Sequence, residues 1–250
     1  MKNILSDAEL LQLRRWNTPT IYNGWEQITK EDHSRVGINI EETHDYMPEI
    51  GAMVGYAVTC VIQPGNKEHQ ENLPDAWNQY WAYIESVPGP KIVVVQDLDK
   101  PATFGAAWGE VNANVHRAFG CVGVIVDGAI RDLEEMKFAG FKALARRLCV
   151  GHAYATPIRW GCEVEVFGSK IKPGQLIHAD HHGFLAVPHG EEKGLLEASV
   201  FMDDNECKNL ISTARASSDI ASGQLIKNLQ AGAKKFGEAT QKKFNKDGEF

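Results

Sequence analysis

The sequence predicts an α/β protein, and three observations carry that prediction. Short β-branched apolar runs at residues 92–95 and 122–126 have the composition of fully buried strands. Between them lies a segment with apolar residues at helical spacing, which places Val111, Val115 and Ala118 on one face. The order of strand, helix and strand indicates a right-handed parallel crossover, the repeating unit of α/β folds.

The chain before this unit predicts two helices, a strand and a third helix. Ser6 and Glu9 form a capping box that begins the first helix, and the segment 18–20 (Thr-Pro-Thr) ends it before a short amphipathic segment. A strand is expected at 52–62 and a helix at 73–87. Aromatic side chains at helical spacing in the latter are assigned to the core rather than to chemistry: Trp77, Tyr80 and Trp81.

After Gly140 the pattern becomes mostly extended and then helical. A strand is expected at 142–149, and short extended pieces separated by glycine turns predict β hairpins over 163–187. We therefore divide the chain into a domain at 1–190, which includes the N-terminal helices, and a helical C-terminal extension at 191–250. The extension is expected to pack on the domain or on a neighbouring subunit, and to fray after Lys234.

Composition and charge exclude several classes of protein. A chain of 250 residues with 43% hydrophobic residues can bury a sizeable core, which excludes disorder as its main state. A net charge of -7 argues against nucleic acid as a partner. Five scattered cysteines without a C-x-x-C pair suit a reducing compartment. With no signal peptide and no run of membrane-spanning length, we expect a cytoplasmic protein that has no membrane partner.

Two charged residues follow the second buried strand. Asp127-Gly128 is expected to end that strand, and a helix is expected to begin near Arg131, which puts Arg131 and Asp132 at a strand-to-helix corner. A guanidinium beside a carboxylate suits an anion together with a divalent cation. The alternative is that Asp132 caps the helix and that Arg131 pairs with a surface neighbour. From these two residues alone, the alternative is the simpler interpretation.

A glycine-containing loop at 105–111 precedes the crossover helix. Backbone N–H groups of such a loop can bind a carboxylate or a phosphate. The loop lacks the spacing of the dinucleotide-binding fingerprint and of the P-loop, so nicotinamide, flavin and nucleotide cofactors are poorly supported. The loop therefore predicts an anion-binding site, but its sequence does not indicate which anion binds.

A cluster of imidazoles and a carboxylate lies near the end of the hairpin region. His178, Asp180, His181 and His182 are residue types that suit zinc or iron. In an extended chain, however, His181 would point away from its neighbours, and Gly183 indicates a turn. We therefore interpret the cluster as structural, at the rim of the fold, with Asp180 bonding the amides of the turn.

Longer motifs around Arg131-Asp132 carry a family resemblance. Glu110 precedes Arg131-Asp132 by twenty intervening positions. Supporting stretches are Thr-Pro-Thr at 18–20, Gly-Val-Ile-Val-Asp-Gly-Ala-Ile-Arg-Asp at 123–132, Gly-His-Ala-Tyr at 151–154 and Lys-Pro-Gly-Gln-Leu-Ile-His-Ala-Asp at 172–180. The chain from 105 to 188 thereby resembles the RraA-like family, which contains 4-hydroxy-4-methyl-2-oxoglutarate/4-carboxy-4-hydroxy-2-oxoadipate aldolases and protein inhibitors of ribonuclease E. The acidic first position is Glu here, where many members have Asp.

This resemblance implies a fold, an assembly and a set of site residues. The fold would be a swivelling three-layer β/β/α domain, and the assembly a homotrimer or a hexamer with active sites between subunits. Asp132 would hold Mg²⁺ or Mn²⁺ partly through water, and Arg131 would bind a 2-oxo acid. Backbone amides would take the substrate carboxylate at Trp108, Gly109, Glu110 and Val111. The Glu110 side chain would order a metal-bound water, transfer a proton or hold another site residue in position without contacting the metal.

The function that the resemblance implies is a divalent-metal-dependent aldolase. It would cleave a 4-hydroxy-2-oxo acid to pyruvate, and the same chemistry would decarboxylate oxaloacetate. The alternative is a non-catalytic regulator that binds a ribonuclease or another protein, for which an acidic surface is suited. A methyltransferase, a label attached to some relatives, is disfavoured because the sequence has no glycine-rich nucleotide loop followed by an acidic ribose partner.

Overall fold

The computed structural model describes residues 5–216, 220–221 and 223–246. The chain divides into two units: Met1–Thr18 with Glu31–Glu192, and Pro19–Lys30 with Lys193–Phe250. The domain boundary between residues 190 and 191 stays a prediction. None of the helices in the described residues is both long and apolar enough to cross a lipid bilayer.

The secondary structure alternates between strands and helices up to residue 148 and is mainly β from there to 187. The helices are α1 (Asp7–Leu13), α2 (Thr18–Ile28), α3 (Lys67–Asn72), α4 (Ala76–Ser86), α5 (Glu110–Ala118), α6 (Leu133–Phe138), α7 (Leu195–Glu206), α8 (Ser212–Arg215) and α9 (Gln224–Phe244). The strands are β1 (His44–Asp45), β2 (Met53–Ile62), β3 (Lys91–Asp97), β4 (Ala106–Trp108), β5 (Cys121–Ile130), β6 (Lys142–Leu148), β7 (Pro157–Trp160), β8 (Val164–Val166), β9 (Ser169–Ile171), β10 (Leu176–Asp180) and β11 (Gly183–Val187).

Nine strands form one mixed sheet. Its order is β1-β6-β5-β3-β2-β10-β11, with β4 paired to β5 and β7 paired to β2. Strands β2, β3, β5 and β6 run parallel, whereas β1, β7, β10 and β11 pair antiparallel with their neighbours. The predicted parallel relation of the two buried strands, β3 and β5, is confirmed. Strands β8 and β9 form a separate hairpin.

Alternate residues of the central strands enter two different cores. On β3, Val93 and Val95 pack with the helical side, where Tyr80 of α4 is fully buried. Ile92 and Val94 pack on the opposite side, against the β8–β9 hairpin. Because side chains alternate across a strand, a sheet covered on both faces needs apolar residues at every position. Helices, sheet and hairpin form the three layers, which confirms the α/β class and the β/β/α order.

Strand β5 continues past the residues that were predicted to end it. The Asp127 carboxylate is fully buried, accepts a hydrogen bond from Arg146 Nε at 2.7 Å and forms an ion pair with Lys100. A buried charge is tolerated when it is paired in this way. A Cβ on Gly128 would lie 2.9 Å from Asp97 Oδ2, so glycine leaves room for that side chain. The strand therefore ends at Ile130, directly before Arg131.

The N-terminal elements show one confirmed and one wrong prediction. The capping box is present, since Ser6 Oγ accepts from the Glu9 amide at 3.3 Å and Glu9 Oε2 accepts from the Ser6 amide at 2.8 Å. The prediction that Thr18-Pro19-Thr20 ends the first helix is wrong, because α1 already ends at Leu13 and this segment begins α2. Proline is favoured in the first turn of a helix because the amide it lacks would have no intrahelical partner there.

The second unit is helical, as its sequence predicts. Phe236 and Thr240 of α9 are fully buried, and Asn205 Nδ2 of α7 donates to the Phe236 carbonyl at 3.1 Å. The prediction that the chain frays as a solvated helix from Lys234 is wrong at these two positions. One face of α9 is held by burial through to Thr240, because its apolar and small residues recur at helical spacing.

Candidate active site

The candidate site lies where β5 ends. Trp108 of β4 pairs with Ile130 of β5, and the Arg131 amide donates to the Trp108 carbonyl at 2.9 Å. Helix α5 begins directly after β4, with Gly109 as its N-cap, and α6 begins directly after Asp132. Two segments that are distant in sequence therefore meet at the carboxyl end of a parallel strand, where ligands bind in many α/β proteins.

Asp132 joins these two segments. Its Oδ2 accepts a hydrogen bond from the Glu110 amide at 3.1 Å, and its side chain makes no capping bond to α6. The interpretation of Asp132 as the cap of its own helix is therefore wrong. The carboxylate instead lies at the N-terminus of α5, where the helix dipole stabilises negative charge. In the described part of the chain, no donor bonds Asp132 Oδ1.

Arg131 lies beside this carboxylate. Its Nε is 3.5 Å from Asp132 Oδ2, and one terminal nitrogen donates to the Val150 carbonyl at 3.1 Å. The two side chains are 39% and 36% exposed, so the ion pair between them contributes little to stability. A guanidinium has five N–H donors, and these contacts occupy only some of them. Arg131 is thus held in place with donors left for an anion.

Gly109 allows the Asp132 carboxylate to lie close to the N-terminus of α5. A Cβ at position 109 would overlap Asp132 Oδ2 and would lie 3.1 Å from Arg131 Cγ. The backbone of residue 109 is extended, so glycine is required here by close contact rather than by an unusual φ. Any side chain at this position would displace Asp132 from the N-terminus of α5.

A pocket of about 190 Å³ contains several predicted site residues and two polar residues that were not predicted. Gly109, Val111, Arg131 and Asp132 line it together with Ala106, Ala107, Asn112, His152 and Ala155. Trp108 and Glu110 are not among the lining residues. Trp108 is buried, while Glu110 supplies its amide to Asp132 and its side chain is exposed.

Asn112 and His152 were the two residues missed. Asn112 Nδ2 donates to the Ala107 carbonyl at 2.8 Å, which closes the turn between β4 and α5. His152 Nδ1 is 2.7 Å from the Ala153 carbonyl, in the segment between β6 and β7. The spacing of Asn112 from Gly109 could have indicated its place in the first turn of the helix. No local pattern would have placed His152 opposite α5.

A buried, neutral histidine, His116, contacts Trp108 and Asn112. The His116 ring packs 4.8 Å from the Trp108 ring, and its Nδ1 is 2.6 Å from the Asn112 carbonyl. Burial lowers the pKa of His116 to about 4. The imidazole is therefore neutral near pH 7, with its proton on Nδ1 to donate to that carbonyl.

Comparison with known proteins identifies the family. The family model described as Aldolase/RraA, RraA-like, matches residues 10–186. The chain belongs to the RraA-like family. A relative from Halalkalibacterium halodurans, named "Putative 4-hydroxy-4-methyl-2-oxoglutarate aldolase", is 31% identical over 160 residues, covering 64% of this chain and 70% of that protein.

Solved structures share the RraA-like fold. An uncharacterized protein from Pseudomonas syringae pv. tomato matches with a TM-score of 0.69 at 17% identity, over 92% of this chain and 96% of that one. A Streptomyces coelicolor protein, described as an unusual member of the RNase ES inhibitor RraA protein family, matches with a TM-score of 0.63 at 20% identity, over 83% and 96%. At these identities the likeness concerns the fold alone.

Proposed function

We propose that this RraA-like protein is a divalent-metal-dependent carbon–carbon lyase that cleaves a 4-hydroxy-2-oxo acid to pyruvate. The observation that carries the proposal is the convergence of Arg131, Asp132 and the N-terminus of α5 on one pocket. A 2-oxo acid presents a carboxylate and an adjacent keto oxygen, which require a cation and fixed hydrogen-bond donors. The relative named as an aldolase gives independent support.

The donor set fits Mg²⁺ or Mn²⁺. Asp132 offers one carboxylate oxygen that carries no hydrogen bond from the described residues, while its other oxygen is fixed by the Glu110 amide. Such ions bind through one or two carboxylates and fill their remaining positions with water and substrate oxygens. When bound, the ion supplies Lewis-acid polarisation of the keto group.

Arg131 binds and orients the substrate in this proposal. Its guanidinium is anchored by the Val150 carbonyl and by Asp132, so the charge is in position before substrate arrives. A preorganised cation stabilises negative charge that develops on the keto oxygen as the carbon–carbon bond breaks. Oxaloacetate loses CO₂ through the same charge development, so decarboxylation is expected at the same site.

The N-terminus of α5 binds the carboxylate of the substrate. The first N–H groups of a helix have no intrahelical partner, and that of Glu110 is used by Asp132. The amides of Gly109 and Val111, both lining residues, are the donors assigned to the substrate. The Glu110 side chain is exposed and does not line the pocket, and we propose that it orders a water or transfers a proton at the pocket mouth.

A neighbouring subunit completes the site in the proposed homotrimer or hexamer. Three exposed apolar side chains surround the pocket elements: Val111 of α5 is 76% exposed, Phe138 of α6 is 96% exposed and Val150 is 92% exposed. Exposed large apolar side chains are candidates for burial at a subunit interface. Val150 also supplies the carbonyl that anchors Arg131. We propose that the neighbouring subunit covers Val111, which lines the pocket, and Val150, which anchors Arg131.

A substrate screen tests the proposal. The full chain is incubated with 4-hydroxy-2-oxo acids and with oxaloacetate in Mg²⁺ or Mn²⁺, and pyruvate is measured. We expect metal-dependent pyruvate release that Asp132→Asn abolishes, while Glu134→Gln, an exposed acid two residues further along, retains it. A folded protein that releases no pyruvate from any of these acids would contradict the proposal and favour the non-catalytic regulator of a ribonuclease.

A further inference from the structure

The turn between β10 and β11 brings three metal-binding side chains together. Asp180 pairs with Gly183, which leaves His181 and His182 as a two-residue turn. Their ring centroids lie 3.9 Å apart, and one potential ligand atom from each of Asp180, His181 and His182 lies within 4.8 Å of the others. The prediction that His181 points away is wrong, because in a tight turn the two side chains no longer alternate as in a strand.

Asp180 is fixed and ionised. Its Oδ2 accepts from the Thr18 amide at 2.8 Å, and its Oδ1 accepts from the His182 amide at 2.9 Å, as the sequence predicts for a turn residue. Burial alone would raise the pKa of Asp180, but these amides and the His182 imidazole lower it below its ordinary value. The two backbone amides thus hold the carboxylate at the turn, beside both imidazoles.

His178 belongs to the supporting structure instead. Its Nδ1 is 2.9 Å from Thr18 Oγ1 and its Nε2 is 3.1 Å from the Leu13 carbonyl. Both ring nitrogens are therefore occupied, and the residue is buried. His181 and His182, in contrast, are exposed and present their imidazoles to solvent.

We propose that Asp180, His181 and His182 form a second metal site, which binds a divalent transition ion of the zinc class. Two imidazoles and one carboxylate are the ligand set that zinc and its neighbours favour, whereas Mg²⁺ prefers oxygen ligands alone. His182 Nδ1 lies 3.1 Å from Asp180 Oδ1, so these two ligand groups are adjacent before an ion binds. Exposure of the turn leaves the remaining coordination positions to water.

The sheet register separates this site from the pocket at Arg131. Ala179 pairs with Met53 at the start of β2, so Asp180 lies beyond the amino end of that strand. The Arg131 corner follows the carboxyl end of β5, which runs parallel to β3 and, through it, to β2. The ten residues of β2, at about 3.3 Å each, span ~30 Å. The two sites are thus at opposite ends of the sheet and need no shared residue.

Metal binding at the turn stabilises the segment that Asp180 holds. The same carboxylate that faces the histidines accepts the Thr18 amide, so an ion on it fixes both the hairpin and residues 13–18. Anything that binds only the native state raises its apparent stability. The melting temperature is therefore expected to rise with Zn²⁺, and this readout does not depend on activity.

Calorimetric titration of Zn²⁺ into the untagged full chain tests the site. Excess Mg²⁺ is present throughout to saturate any oxygen-only site. The wild type is expected to bind one equivalent, and His181→Ala and His182→Ala are each expected to lose at least about tenfold in affinity. Two matched variants should bind Zn²⁺ like the wild type: His44→Ala, at an exposed histidine on β1, and Asp132→Asn, at the other pocket.

Two results would overturn the inference. One is a wild type that shows no stoichiometric Zn²⁺ binding. The other is binding that His181→Ala and His182→Ala leave unchanged. Both substituted side chains are exposed, so the variants are expected to fold, and circular dichroism on the same samples verifies it. The visible spectrum of the Co²⁺-loaded chain gives an independent readout of nitrogen ligation, which should be lost in the same two variants.

Discussion

The Glu110 amide donates a hydrogen bond to Asp132 Oδ2 across 3.1 Å, so the start of α5 and the end of β5 are fixed relative to each other. One oxygen of Asp132 is thereby committed to structure and the other is left for a ligand. This division would let a single carboxylate bind the proposed metal without losing its position, and it motivates the first two predictions.

Substitutions at the corner should lower turnover without unfolding the protein. Both side chains are more than a third exposed, so Arg131→Ala and Asp132→Ala should leave folding nearly intact. Pyruvate release should fall at least about a hundredfold in each, as when a preorganised charge is removed. Ile84→Ala in the fully buried core should do the opposite, costing about 2–5 kcal/mol of stability with no specific effect on turnover. Unfolding of both corner variants would contradict this assignment.

Activity should depend on a hard divalent cation. Treatment with EDTA is expected to abolish pyruvate release, and Mg²⁺ or Mn²⁺ to restore it, because the candidate ligand is a carboxylate oxygen rather than a thiolate. The measurement is turnover before chelation, after it and after addition of each ion. Full activity in chelator would refute the metal-dependent mechanism and direct attention to a lysine Schiff base.

Gly109→Ala should damage the site through geometry alone. The added methyl group would overlap Asp132 Oδ2 and break the bond to the Glu110 amide. We expect turnover to fall about as far as in Asp132→Ala, with the fold kept. The matched control is Gly151→Ala, where an added Cβ meets nothing within 4 Å. Equal activity of the two glycine variants would show that the position of Asp132 is not critical.

Stability should fall as the pH drops from about 6.5 to about 4. Burial lowers the pKa of His116 and of His178 to about 4, so the unfolded chain takes up protons in this range and the native state does not. Each histidine accounts for at most about 3 kcal/mol of the free energy of unfolding. This stabilisation is complete above the pKa of the unfolded chain and is lost as the pH falls towards the native pKa. Asp97, whose pKa burial raises to about 6, acts in the opposite direction and offsets part of the loss.

Denaturant unfolding at pH 7 and pH 4.5 measures this dependence. His116→Phe removes one of the two titrating groups and should reduce the difference in unfolding free energy between the two pH values. His44→Ala removes an exposed histidine and should leave that difference unchanged. If the unfolding free energy changes equally between the two pH values in the wild type and in His116→Phe, His116 does not contribute to the pH dependence.

Assembly and activity should be lost together. Light scattering and turnover, measured on one dilution series, are expected to show a trimer or a dimer of trimers whose dissociation parallels inactivation. Phe138→Asp, at a side chain 96% exposed on α6, should shift dissociation to higher concentration without touching the pocket. A fully active monomer would refute the shared site, although the chemistry at Asp132 could remain.

The fold was largely predictable because its strands are covered on both faces. The apolar runs that became β3 and β5 are such strands, and their parallel crossover followed from the helix between them. The end of β5 was missed because Asp127 is polar, and only the fold reveals that Arg146 and Lys100 pair with it. A sequence shows that a carboxylate is present but not whether a partner far along the chain will neutralise it.

The candidate site was predictable only in part, for a similar reason. Arg131, Asp132 and the 109–111 turn are local patterns, and the structure brings them to one pocket. His152 enters from a separate segment, and His181 turns towards His182 because a two-residue turn replaces the strand. The motif at 151–154 and the glycine at 183 mark these two segments, but the direction in which each histidine points depends on tertiary geometry that the neighbouring residues do not specify.

The pocket is lined partly by residues at the ends of strands and helices and partly by residues of an irregular segment. Asp132 is held by α5 and Arg131 by the sheet and the Val150 carbonyl, whereas the His152 and Ala155 side chains belong to the segment between β6 and β7, which has neither helix nor strand. Irregular segments tolerate sequence change better than the elements they connect. Side-chain substitutions at His152 and Ala155 can alter which ligand fits while the Val150 main-chain carbonyl keeps Arg131 in place, so in the proposed lyase substrate choice and bond cleavage could be selected separately.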